Sequence, residues 1–140
     1  METTIQTKET MATSTFITSE ALLEQWQGHR RVTRRVIEAF PEDKLFDYSI
    51  GGMRTFAALA MEMIHMGAPG IRGVVTHKWQ TFDEAAADYP TPKTKSELLH
   101  LWDESTDQIN NLWPQIPPGR FQEMETFFGQ YEGRVYWNIL

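Results

Sequence analysis

The stretch Ala57-Ala58-Leu59-Ala60-Met61-Glu62-Met63-Ile64-His65-Met66 sets a carboxylate and an imidazole three residues apart inside an otherwise apolar run. On a helix that spacing places both groups on one face, one turn apart. Carboxylate and imidazole are ligands for zinc, manganese or iron, so Glu62 and His65 are the candidate metal ligands. A second Glu-x-x-His occurs at Glu97 and His100. Paired motifs of this kind, with glutamates from two further helices, are the ligand pattern of di-iron and di-manganese carboxylate bundles. In that reading the first helix has to offer Glu24 or Glu38, neither of which falls squarely on its apolar stripe, and Glu97 has a competing role at a helix start.

Other catalytic patterns are missing. The chain contains no H-E-x-x-H, no phosphate-cradling or dinucleotide-binding glycine loop and no G-x-S-x-G elbow. It contains no cysteine, which removes disulfides, thiolate ligands and thiol nucleophiles and fits a reducing cytoplasm. Each polar residue also has a purely structural reading. Glu62 can be a core-edge carboxylate paired with an arginine of the first helix, and His65 can sit at a polar seam. His29, at stripe spacing between Trp26 and Thr33, reads as a hydrogen-bonded core histidine, and Met61, Met63 and Met66 as adaptable packing.

These residues need a scaffold, and the chain is long enough for one. Its 140 residues, 41% of them hydrophobic, suit a single globular domain over residues 17–140, after a Thr-rich tail at 1–16 with no apolar signal segment. A net charge of -6 argues against nucleic acid as a partner. The basic stretch His29-Arg30-Arg31-Val32-Thr33-Arg34-Arg35 reads as a solvated helix face. Glu62, His65 and Arg72 interrupt the most apolar run, so no segment is suited to cross a bilayer.

The periodicity predicts three long helices. The first starts at Thr18 or Ser19, carries an apolar stripe of Leu22, Trp26, Thr33, Val36 and Phe40 with Leu23 and Ile37 beside it, and stops at Pro41. The second runs from Met53 to about Val75, apolar on nearly all sides, and is expected to loosen or bend at Gly67-Ala68-Pro69-Gly70. Residues 75–92 read as a long loop held down by Trp79, Phe82 and Tyr89. Thr94-Lys95-Ser96-Glu97 is a capping box that opens the third helix. After a polar, aromatic loop around Phe121, Phe127 and Phe128, the run Arg134-Val135-Tyr136-Trp137-Asn138-Ile139-Leu140 reads as helical or strand-like, and as the opening of a fourth helix it is incomplete at Leu140. The fold class expected is all-α.

Trp26, Thr33-Arg34-Arg35, Phe40-Pro41-Glu42-Asp43-Lys44-Leu45-Phe46 and Gly52-Met53-Arg54-Thr55-Phe56-Ala57-Ala58-Leu59-Ala60-Met61-Glu62-Met63 follow one another in a way that resembles the DinB-like family of up-and-down four-helix bundles. Pro69-Gly70-Ile71-Arg72-Gly73 and Tyr136-Trp137-Asn138-Ile139 extend the likeness over most of the chain. The resemblance implies a divalent metal ion (nickel, zinc, manganese or iron) and a metal-dependent transferase or hydrolase acting on a small, thiol-type molecule in the cytoplasm, with damage-induced expression. In that family a histidine of the second helix and an H-x-x-x-H pair of the fourth hold the metal. Here the frame Thr55-Phe56-Ala57-Ala58-Leu59-Ala60-Met61 leads to Glu62 instead, and no H-x-x-x-H precedes Leu140. The alternative is a non-enzymatic helical interaction module without metal. An uncovered groove beside a partial fourth helix implies a homodimer.

Overall fold

The three long helices expected from the periodicity are present, with shifted bounds for the second. The computed structural model describes residues 16–140, and the expected N-terminal tail lies, but for Phe16, outside them. Helix α1 spans Ser19–Ala39 and is capped by Thr18, whose Oγ1 accepts from the Ala21 N–H at 3.0 Å. Phe40, ahead of Pro41, turns extended and ends it. A short α2, Glu42–Leu45, follows. Gly51 and Gly52, both at positive φ, make the turn into α3, Phe56–Thr76, whose first turn is capped by Thr55.

Helix α3 runs unbroken through Pro69, which corrects the expected loosening at Gly67–Gly70. The small residues there serve close packing instead. Gly67 faces Ile109 and Ser105, and Gly70 faces the rings of Phe127 and Phe128. The expected loop after α3 contains a short helix, α4, Phe82–Ala87, capped by Thr81. Helix α5, Lys95–Leu112, opens at the predicted cap: Thr94 Oγ1 accepts from the Glu97 N–H, but the Glu97 carboxylate accepts from the Lys93 N–H at 2.7 Å, one residue ahead of the N–H that a full capping box uses.

Beyond α5 the expected loop around Phe121, Phe127 and Phe128 is corrected to a hairpin, and the last run is helical. Two 3-10 turns, Trp113–Gln115 and Pro118–Gln122, lead into strands β1, Met124–Phe127, and β2, Tyr131–Arg134, and only then into α6, Val135–Ile139. The strands pair antiparallel, with Met124 opposite Arg134 and Phe127 opposite Tyr131. Phe128 and Gly129 both take positive φ at the turn, the backbone that hairpin twist demands. The chain is therefore mostly helical with one small sheet, not purely α.

Helix α5 packs against both α3 and α1, while α1 and α3 leave a gap between them. The core falls into two apolar clusters. One gathers Leu22, Ile71, Val74, Ile109, Trp113 and the aromatic C-terminal segment, and the other gathers Ile37, Leu45, Ile64, Leu98 and Trp102. Between them α1 contributes Gln27 and Arg30 and α5 contributes Ser105, three of the four buried polar side chains among the described residues. The expected stripe of α1 is thereby rotated. Val36 is exposed, while Gln27 and Arg30 are buried with Leu22 and Ile37, because a 3.6-residue repeat carries 23, 26, 27, 30, 34 and 37 along one face and leaves 36 about 100° away from 37. No helix among the described residues is long and apolar enough to cross a membrane.

Candidate functional site

Arg30 corrects the reading of the basic stretch as a solvated face. It is 5% exposed. Its Nη2 donates to Ser105 Oγ at 3.3 Å and to Thr106 Oγ1 at 3.2 Å, both on α5. The guanidinium carbon lies 4.3 Å from the centroid of the Trp102 ring, close enough for cation–π attraction. Nη1 lies beside Gly67, 3.4 Å from where a β-carbon would stand, so glycine at 67 leaves the guanidinium its seat. The buried Nε has no hydrogen-bond partner. Among the described residues no carboxylate lies within ion-pair distance of Arg30.

Burial brings the Arg30 pKa down from 12.5 to about 10, so the group is still a cation at neutral pH. An uncompensated buried charge costs several kcal/mol on the order-of-magnitude scale for desolvated ions. The neighbouring arginines avoid this. Arg34 is clamped by Asp103 at 2.7 and 2.9 Å and by Glu38, and its pKa is raised, chiefly by the Asp103 hydrogen bond. The same bond holds the Asp103 carboxyl below its ordinary value. Arg120, also 5% exposed, donates to Glu123, Glu125 and the Val74 carbonyl. Burial alone would raise the Glu125 carboxyl, but the bonds from Arg120 and the Thr126 N–H outweigh it and lower its pKa.

Arg30 lines a cavity of about 650 Å³ in the gap between α1 and α3, whose walls include Trp26, Met63, Met66, Phe127, Phe128 and Trp137. That volume is in the range of small-molecule sites, which are mostly apolar with a few placed polar groups. A smaller hollow of about 320 Å³, edged by Gln27, Asp103 and Asn110, shares Arg30 and Trp102 with it.

The residues singled out for metal chemistry lie elsewhere. Neither Glu62 nor His65 lines the cavity. Glu62 is paired not with an arginine of α1 but with Arg54 at 2.5 Å, in front of α3, and both side chains are about half exposed (60% for Arg54 and 45% for Glu62). His65 is half-buried with its ring 5.4 Å from that of Tyr89. Burial lowers its pKa against the pull of Glu62. His100 is exposed and bonded to Glu104, Glu97 is occupied at the start of α5, and His29 is exposed beside Gln25. Glu38 is taken by Arg34, and Glu24 is exposed. Among the described residues no three His, Asp or Glu side chains gather into a metal-holding group. Glu62 and His65 offer at most two donors where a protein-held divalent ion needs three or more, and no third donor joins them among the described residues.

The residue that sequence reasoning passed over is Arg30. Its signal was positional: it follows Trp26 by four residues and Leu23 by seven, on the helix face that must be packed. No family model matches the chain, and no curated protein matches it.

Proposed function

We propose that the chain is a DinB-like helical protein that binds a small organic molecule in the cavity between α1 and α3. The support for this reading is the cavity itself: about 650 Å³, walled by aromatic and methionine side chains, with a buried cation on its lining. Methionines at 63 and 66 give a wall that adapts its shape, and Phe127 and Phe128 give it rigid faces. The test is calorimetric titration of the full chain with 1-octanol, a neutral apolar probe. Saturable binding of one molecule per chain is expected, and Met66→Trp, which fills the space, is expected to abolish it. Binding that survives Met66→Trp unchanged places the ligand elsewhere.

Metal-dependent transfer of a thiol-type molecule, implied by the resemblance, is the second reading. It rests on Glu62 and His65 standing one turn apart on α3. Elemental analysis of the purified protein decides it: stoichiometric metal that disappears in Glu62→Gln supports the reading, and metal-free protein at neutral pH after incubation with nickel, zinc, manganese or iron removes it.

A further inference from the structure

We infer that the cavity is a site for a small amphipathic monoanion, an apolar body carrying one carboxylate, with Arg30 as the residue that recognises the charge. The inference rests on the ligand-binding reading above and adds the chemical class.

Four observations carry it. Arg30 is only 5% exposed yet has no carboxylate partner among the described residues, whereas Arg34 and Arg120 each have two. Its Nε, a buried donor, bonds to nothing, one of four buried side-chain polar atoms without a partner among the described residues. Ser105, Thr106 and Trp102 grip one side of the guanidinium from α5, which fixes it without neutralising it. Gly67 keeps the α3 side clear, and that side borders the cavity. Together these are a pre-positioned positive charge at the inner end of an apolar space.

The same facts set the class of ligand. One uncompensated cation matches one negative charge, and a chain of net charge -6 repels polyanions. With Nη2 committed to two hydroxyls, the guanidinium has single donors to offer rather than a bidentate fork, so it would hold one oxygen of an anion rather than clamp two. The walls favour an apolar body on the side of Met63, Met66, Phe127 and Phe128, while His29, Thr33 and Asn138 add further polar groups to the lining.

The experiment compares octanoate with 1-octanol, which share the apolar chain and differ in charge. In calorimetric titrations of the full chain at neutral pH and low salt, octanoate is expected to bind one molecule per chain at least about tenfold more tightly than octanol, the scale of a charge-assisted hydrogen bond in a shielded site. Arg30→Met, with folding checked by circular dichroism, is expected to bring the two probes within about twofold of each other. Equal binding of both probes by the unaltered protein overturns the anion assignment and leaves the cavity reading standing. Binding of neither overturns both. A preference for octanoate that persists in Arg30→Met shows that another cation reads the charge and overturns the role given to Arg30. The comparison in the unaltered protein needs no variant, so an Arg30→Met protein that fails to fold does not protect the proposal.

Discussion

Arg30 makes a stability test independent of any ligand. Replacing a buried, uncompensated cation by a side chain of similar length and no charge removes its desolvation cost, an effect on the order of 1–3 kcal/mol when the replacement packs well. Two hydroxyls, Ser105 and Thr106, lose a donor in the exchange, but the Thr106 hydroxyl keeps its bond to the Trp102 carbonyl. Arg30→Met is therefore expected to raise the urea midpoint of the ligand-free protein, whereas Arg120→Met, which strands Glu125 and the Val74 carbonyl, is expected to lower it by about 3 kcal/mol in unfolding free energy. If both variants lose stability alike, Arg30 is an ordinary structural arginine. At this scale the sequence was partly legible. Glu62 and His65 stood out because their types were unusual for their surroundings, but what each one touches depends on residues outside the helix: Arg54 before it and Tyr89 in the loop after it. Arg30 was hidden for the opposite reason. It stands among four other basic residues at 29–35, and composition drew it to the surface while periodicity held it inside.

Elements were read better than residues. Caps at Thr18 and Thr94 and the stop at Pro41 depend on contacts within one turn, so they survive translation from sequence to fold, whereas the Thr55 cap went unread and the second helix was expected three residues early. The hairpin was missed as well, because Met124–Phe127 and Tyr131–Arg134 are only four residues each and flank a turn whose first position is Phe128 rather than a residue that favours positive φ. Phe128 is held there by stacking on Phe82 at 4.6 Å and by the edge of Trp79. Trp79 in turn lies flat against Gly73, where a β-carbon would come within 2.5 Å of the ring. Gly73→Ala thus gains helix propensity of about 1 kcal/mol but forces the indole out of a packed aromatic group, a cost in the range of about 1–3 kcal/mol. Net destabilisation is expected in chemical denaturation, with loss of the Trp79 contribution to the near-ultraviolet dichroism. A Gly73→Ala variant at least as stable as the parent removes Trp79 as the constraint.

At the scale of the molecule, two apolar clusters separated by a polar layer were not visible in the sequence, since the layer is assembled from Gln27, Arg30, Gly67 and Ser105 on three helices. The uncovered groove was anticipated, although its end is closed by a hairpin rather than by the beginning of a helix alone. Trp137 is 63% exposed, Leu140 74%, and Met63 and Met66 each 38%, and all four stand around the mouth of the cavity. The homodimer expected from an uncovered groove is to be tested at this rim. Light scattering coupled to gel filtration is expected to report a dimer that octanoate does not dissociate; a monomer across a wide concentration range sets that association aside and leaves the ligand site untouched.

The hairpin is fastened to the rest by the Arg120 guanidinium on the Val74 carbonyl and by Phe127 and Phe128 against Gly70. All of those footholds belong to α3, which leaves the ribosome well before the hairpin does. The far wall of the pocket therefore depends on α3 for its support, while the guanidinium of α1 is seated by α5 and Gly67 without the hairpin's help.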